Sequence, residues 1–340
     1  MRKLLNTLYV TTPESYLSKD GENVVVSVKQ QEVFRISVLN IESIVTFGYM
    51  GASPGLMKLC ADRGIGLTFL SPQGRFISRI QGQVRGNVLL RKAQYALAED
   101  EGASTELAKV FIAGKIQNYR SILRRYERDY GQNEEIEAAV VAMDLAKHRV
   151  LRTSIMEQVR GLEGDAASRY FSVFPFLIIN QKEDFPFYGR NRRPPKDAVN
   201  AMLSLAYTLL TNDITSALET VGLDPYVGFM HSLRPGRTSL ALDMVEELRA
   251  YLGDRFVLSL INRRQITASD FLHQGEKGVV LTDNGRRTFL TAWQARKKET
   301  ITHPFLQEKI PIGLIPHTQA MLLARLVRGD LDSYPVFLVK

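Results

Sequence analysis

Three groups in this chain have the types needed to hold a divalent cation. One is Glu163, set between Gly161 and Gly164 in the run RGLEGDAASRYF. The second is His231, one of five histidines, at the head of the basic loop HSLRPGR. The third is an acid of the segment that follows, where Asp243, Glu246 and Glu247 interrupt an aliphatic pattern. Carboxylates are hard ligands and favour Mg²⁺ or Mn²⁺, and an imidazole makes Mn²⁺ the more acceptable of the two. Neither an HExxH nor a CxxC spacing argues for zinc. Arg234 and Arg237 flank the histidine and suit a phosphate held beside such a metal.

Each segment also has a plainer reading. At about 100° per residue, Leu240, Ala241, Met244, Val245, Leu248 and Leu252 share one helix face, which leaves Asp243, Glu246 and Glu247 on a solvated acidic face. A histidine beside Pro-Gly is commonly a surface or capping residue. Small residues around Glu163, with Ala166, Ala167 and Tyr170 on the same side, let either a second backbone or a ligand approach closely. Spacing alone does not bring the three segments together.

Up to about residue 85 the chain reads as β. LLNTLYV, YLSK, NVVVSVK, EVFRISV, SIVTF, LTFL and FISRI are short and rich in β-branched and aromatic residues. Pro13, KDGEN at 19–23 and SPQG at 71–74 punctuate them as turns. One helix is expected at Pro54–Arg63, with Ser53 as its cap and the proline in its first turn. From about residue 87 apolar residues fall three and four apart. Helices are expected from Ser104 through Tyr130, Glu134 to about His148, Ser154 to Ile178 and Asp197 to Val221, with more from Ser239, Ala268 and Thr318. The fold class is α+β: a β-rich domain over 1–84 and a larger all-α domain over 85–340, joined near Gly82–Asn87.

Composition narrows the function classes. The 340 residues suit two domains. Cys60 is the only cysteine, which excludes a disulfide framework and a thiolate metal cluster. No apolar run approaches a bilayer span, and the N-terminus turns polar too soon for a signal peptide, so a cytoplasmic location is expected. Lys and Arg number 44 against 36 Asp and Glu, a formal charge of +8, which favours polyanions through counterion release. Arg190, Arg192, Arg193 and Lys196 share a loop with Phe185, Phe187 and Tyr188, a composition suited to phosphates and frayed bases. Arg286, Arg287, Arg296, Lys297 and Lys298 form another basic cluster near Trp293, the one tryptophan.

In order along the chain, RGLEGDAASRYF, FYGRNRRPPKDAVNAMLSLAYTLL, GLDPYVGFMHSLRPGRTSLALDMVEELR and GLIPHTQAMLLARLVRG resemble the Cas-one family of CRISPR-associated adaptation endonucleases and integrases. The resemblance spans nearly the whole chain and extends to the subtype I-C variety. It implies metal ligands at Glu163, His231 and Glu246, with Asp243 as a helper, and Mg²⁺ or Mn²⁺ as cofactor. It leaves Glu247 on the solvated face and gives Asn200 and Tyr207 a bracing role. Arg234, Arg237, Arg190, Arg192 and Arg193 are the expected DNA contacts. The implied chemistry is attack of a DNA 3′-hydroxyl, or of water, on a phosphodiester, with no protein nucleophile; Tyr170 is disfavoured as one. The implied partners are double-stranded DNA (prespacer and CRISPR repeat), a second copy of the chain through the N-terminal domain, and a small adaptation protein, Cas-two, in a hetero-hexamer. Two other readings fit the residues: a metal-dependent nuclease on RNA or branched DNA, and an architectural DNA binder without catalysis.

Overall fold

Alternating β-branched residues in the first 80 positions build two small sheets in the computed structural model, which describes residues 7–41, 43–48, 51–72, 76–80, 82 and 88–339. The strands are β1 (Thr7–Val10), β2 (Ser15–Asp20), β3 (Asn23–Val28), β4 (Gln31–Ser37), β5 (Ser43–Phe47), β6 (Gly66–Leu70) and β7 (Phe76–Ile80). One sheet has the order β1-β5-β6-β7, parallel except for its last pair; the other is the antiparallel meander β2-β3-β4. Helix α1 (Pro54–Arg63) starts as expected: Ser53 accepts from Leu56 N, Pro54 opens the first turn, and Gly64 in the left-handed region ends it. Leu56, Leu59 and Cys60 of α1 join Leu17, Val24, Val26, Ile44 and Leu67 in one core.

The remaining chain is mainly helical: α2 (Val88–Glu99), α3 (Glu101–Tyr130), α4 (Glu134–Arg152), α5 (Met156–Val173), α6 (Ala198–Val221), α7 (Ser239–Leu248), α8 (Arg255–Asn262), α9 (Asp283–Lys298) and α10 (Ile315–Val327). Helix α3 begins at Glu101, because Asp100 and not Ser104 is its cap. Helix α6 begins where expected, with Asp197 accepting from Asn200 N. Between α7 and α8, Arg249–Asp254 forms a π-helical turn. The expected helix at Ala268 is one 3₁₀ turn leading into the short strands β8 (Phe271–His273) and β9 (Val279–Leu281), so this part of the chain is not all-α.

The chain divides into two compact units. The first holds 1–85 together with 281–301 and 310–314; the second holds 86–280, 302–309 and 315–340. Helix α9 therefore groups with the strand-rich unit, which a single cut in the sequence does not show. The Gln294 amide donates to Thr7 O, and the Arg286 guanidinium lies over the Phe47 ring. Of the expected boundary at Gly82–Asn87, positions 83–87 lie outside the described residues, as do Leu4–Asn6 of the first expected strand and Gln73 and Gly74 of SPQG. No described helix is long and apolar enough to cross a membrane.

Candidate functional site

Within the helical unit the site is built on α3, α5 and α7. Two bonds tie the sequence segments together. Arg160, three residues before Glu163 on α5, donates to Met230 O beside His231. Lys115 of α3 reaches both Glu163 of α5 and Glu246 of α7. Tyr119 of α3 and Tyr170 of α5 stack at 3.8 Å between ring centroids, which sets the spacing of those two helices.

The Lys115 ammonium is fully buried and forms ion pairs with Glu163 Oε1 and, at 2.6 Å, with Glu246 Oε2. The second contact is an ion pair and not an aligned hydrogen bond. Glu246 Oε1 accepts from Arg249 Nη2 at 2.8 Å. Burial alone would raise the Glu246 pKa; Arg249, Lys115 and His231 outweigh it and hold the carboxyl well below its ordinary value. His231 thus acts on Glu246 from nearby.

His231 is oriented by Asp243. Its Nδ1 lies 2.6 Å from Asp243 Oδ1, which also accepts from His231 N at 3.0 Å. Oδ2 accepts from Phe229 N and Met230 N at 2.6 and 3.1 Å. With Nδ1 donating, Nε2 is the ring atom left for a ligand, the arrangement by which a carboxylate fixes the tautomer of a metal-binding histidine. Gly228 is needed here: a Cβ on it would sit 2.6 Å from Asp243 Oδ2 and 2.8 Å from Leu240 N.

Glu163 and Glu246 are therefore brought together, and His231 lies within electrostatic range of Glu246. Among the described residues, no three His, Cys, Asp or Glu side chains are already arranged as a closed metal cage. The donor chemistry nevertheless fits Mg²⁺ or Mn²⁺: two carboxylates converge on one cation, and an oriented imidazole stands by. A Cβ on Gly161 or Gly164 would meet nothing within 4 Å. These glycines leave open space beside Glu163 and do not mark a tight helix crossing.

The expected solvated acidic face does not exist. Every residue of α7 except Leu242 is buried. Glu247 is fully buried and accepts from Tyr334 OH, from Phe337 N at 2.6 Å and from Gln319 Nε2 at 3.1 Å. Burial, partly offset by these donors, pushes its carboxyl up to about 7. The covering layer is the C-terminal tail, where Asn118 of α3 donates to Phe337 O, 219 residues away in sequence, and accepts from Val339 N, 221 residues away.

The basic loops also differ from expectation. Arg190 donates to Asn191 O, to Asn200 Oδ1 at 2.7 Å and to Ser204 Oγ at 3.1 Å, and it lies over the Tyr207 ring. It is an internal strut and not a free phosphate contact. Asn200 is fully buried and braces that loop. Phe185 and Phe187 are buried, packed on Phe271 and on Phe171 and Phe174, so Tyr188, 94% exposed, is the aromatic that faces solvent. Arg192, Arg193 and Lys196 are exposed, as is Arg234; Arg237 is half-buried and makes a long 3.5 Å contact with Ser232 Oγ. In the other cluster Trp293 and Lys297 are buried, Arg286 pairs with Asp283, and Arg296 pairs with Glu299. Arg287 and Lys298 of that cluster remain exposed.

Lys115 and Asn118 were not read from the sequence as site residues. The signal was present: Lys115 falls at i+4 from Phe111 and i−4 from Tyr119, in the middle of an apolar helix face. A lysine there needs buried acids.

A family model described as CRISPR associated protein Cas1 matches residues 8–295. The CRISPR-associated endonuclease Cas1 1 of Chlorobaculum tepidum is 50% identical over 340 residues, covering 99% of each chain. The CRISPR-associated endonuclease Cas1 2 of Rhodospirillum rubrum is 50% identical over 342 residues, covering 98% of each. In fold, the chain is similar to a Cas1 protein from Thermotoga maritima (TM-score 0.83, 20% identity, 98% of this chain and 100% of that one). It is equally similar to a casposase bound to integration product (TM-score 0.83, 22% identity, 97% and 92%).

Proposed function

This chain belongs to the Cas1 family, whose members half identical to it are CRISPR-associated endonucleases, and we propose that it is a divalent-metal-dependent DNA endonuclease and integrase of CRISPR spacer acquisition. The observation that carries the reading is the convergence of Glu163 and Glu246 on one buried cation, beside a histidine oriented by Asp243.

Mg²⁺ or Mn²⁺ held by Glu163, His231 and Glu246 would supply positive charge for the phosphate and acidify the attacking hydroxyl. The chain's own groups do the rest. Asp243 keeps the proton on His231 Nδ1 and the lone pair on Nε2. Arg160 pins the His231 turn to the helix that carries Glu163. Arg234 and Arg237, on the loop between His231 and α7, suit the phosphate flanking the cut, and Arg192, Arg193, Lys196 and exposed Tyr188 suit the DNA path. In joining, the 3′-oxygen forms a new bond to phosphorus and loses its proton; the array P–O bond breaks, and the departing oxygen takes up a proton. One phosphodiester replaces another, so no external energy source is required. With water as nucleophile the same site cuts. Tyr170, fully buried and stacked on Tyr119, cannot present a nucleophilic hydroxyl to DNA.

The strand-rich unit is assigned the protein contacts, with a second copy and with Cas2 in a hetero-hexamer. Val33, Phe34, Leu39, Phe76 and Ile77 stand exposed on it and support that assignment. The I-C variety is the subtype assigned within that family, and the set of genes beside this one tests it.

The deciding experiment measures strand transfer and cleavage on one labelled duplex with Mn²⁺ or Mg²⁺. Glu163→Ala and His231→Ala should each abolish both activities and retain DNA binding. Full activity in both variants would sink the metal assignment. Cleavage without joining in the parent protein would instead identify a nuclease alone.

A further inference from the structure

Each oxygen of Glu246 already faces a cation: Oε1 accepts from Arg249 and Oε2 pairs with Lys115. A divalent cation arriving at Glu246 is repelled by both, which favours the departure of one of them. Arg249 is the less mobile partner. Its guanidinium is mostly buried and lies 4.7 Å from the centroid of the Tyr207 ring, so its plane is held by an aromatic face as well as by the carboxylate. Lys115 ends in a compact ammonium on a flexible four-carbon stem. It also occupies Oε1 of Glu163, the second carboxylate the metal would need. Both oxygens lie within hydrogen-bonding reach of one nitrogen, hence within about 6 Å of each other, so the lysine holds the two acids close together.

We propose that Lys115 is the resident counter-ion of the metal site, neutralising Glu163 and Glu246 until a divalent cation displaces its ammonium. This rests on the assignment of Glu163, His231 and Glu246 as ligands. It gives the lysine a positioning role. Without the lysine, buried Glu246 and partly exposed Glu163 would face each other with only Arg249 to offset their charge; Lys115 ties α3, α5 and α7 together before metal arrives. The cost is that metal binds against an internal competitor, so the lysine lowers apparent metal affinity.

The test uses the full chain and Mn²⁺ alone as probe. Calorimetric titration of the parent and of Lys115→Met should show Mn²⁺ binding about tenfold tighter in the variant, the usual scale of a coupling between two sites, while the variant without metal melts at a lower temperature. Reductive methylation of the parent, mapped by mass spectrometry, should label Lys115 only when Mn²⁺ is present; Lys58, whose side chain is 76% exposed, is the control labelled in both states. The labelling arm needs no variant and decides the matter if Lys115→Met does not fold. Equal Mn²⁺ affinity in parent and variant, or saturating Mn²⁺ binding with Lys115 still unlabelled, overturns the proposal and leaves the metal site standing. Mn²⁺ binding that is undetectable in the parent, or unaltered by Glu163→Ala, removes the metal site itself and the proposal with it.

Discussion

Replacing Asp243 by asparagine tests whether this acid works through His231. The carboxylate accepts four hydrogen bonds, two on each oxygen: from Phe229 N and Met230 N on one, and from His231 N and Nδ1 on the other. An amide has one acceptor oxygen. Placed toward Phe229 and Met230, it satisfies both, and its NH₂ then faces the His231 N–H. That leaves a donor unsatisfied in a partly buried place, at about 1–3 kcal/mol, and the remaining bonds lose their ionic character. A total of about 2–4 kcal/mol follows, or about 5–15 °C in melting temperature for a unit of this size. The same NH₂ drives the imidazole to accept at Nδ1 and carry its proton on Nε2, where the metal should bind. Loss of such a supporting carboxylate lowers metal affinity or activity about 10- to 100-fold. Thermal denaturation with chelator, Mn²⁺ titration and a duplex nicking assay measure the three effects. An Asp243→Asn protein that melts lower yet binds Mn²⁺ like the parent would reduce Asp243 to a turn cap and refute the orienting role.

Gly228→Ala should be as damaging as Asp243→Asn in the same assays, because its Cβ collides with backbone as well as with Asp243; a melting temperature within 2 °C of the parent's, roughly 1 kcal/mol or less, would contradict the close approach. Arg192→Ala with Arg193→Ala should weaken DNA binding and reduce the slope of log affinity against log salt by about 2, whereas Arg190→Ala should lower the melting temperature and leave that slope unchanged; a slope change in Arg190→Ala would put its guanidinium back on DNA. Asp254, fully buried, is raised by burial to about 6, against 3.8 unperturbed, although Tyr207 OH donates to it. A folded pKa above the unfolded one means that the native state keeps a proton the unfolded chain releases. Stability should therefore fall as pH rises from about 4 to about 6, by about 3 kcal/mol. Urea denaturation of the parent and of Asp254→Asn across pH 4–7 should show that slope flattened in the variant, and identical slopes would exclude the assignment.

Much of this was legible locally. The change of period near residue 87, the Ser53–Pro54 start and the Asp197 cap depend on neighbours within a few positions, and the structure reproduces them. The candidate ligands were legible as residue types, since a glutamate between glycines and a histidine before a basic loop are unusual locally. What was not legible depends on distant chain. Phe185 and Phe187 look like a recognition loop until Phe171, Phe174 and Phe271 cover them. Helix α9 looks like part of the helical domain until Gln294 and Arg286 dock on β1 and β5.

The acids of α7 show why helical periodicity gave a wrong answer there. Periodicity separates apolar from polar residues and assigns the polar side to water. That inference fails when each acid has its own buried partner. Burying an ionised carboxylate costs several kcal/mol unless it is paired, so three on one ten-residue helix demand three separate solutions. Asp243 takes backbone N–H groups and a histidine; Glu246 takes a lysine and an arginine; Glu247 takes a tyrosine, a glutamine and the tail amide of Phe337. The environments differ in charge. Glu246 alone has full positive charges on both oxygens, and its carboxyl is held down, whereas Glu247 has only neutral donors and is pushed up to about 7. A site that must attract a divalent cation needs the acid that stays ionised. Glu246, and not its neighbour, meets that requirement, and a Glu246→Gln protein should lose metal binding although Glu247 remains one position away.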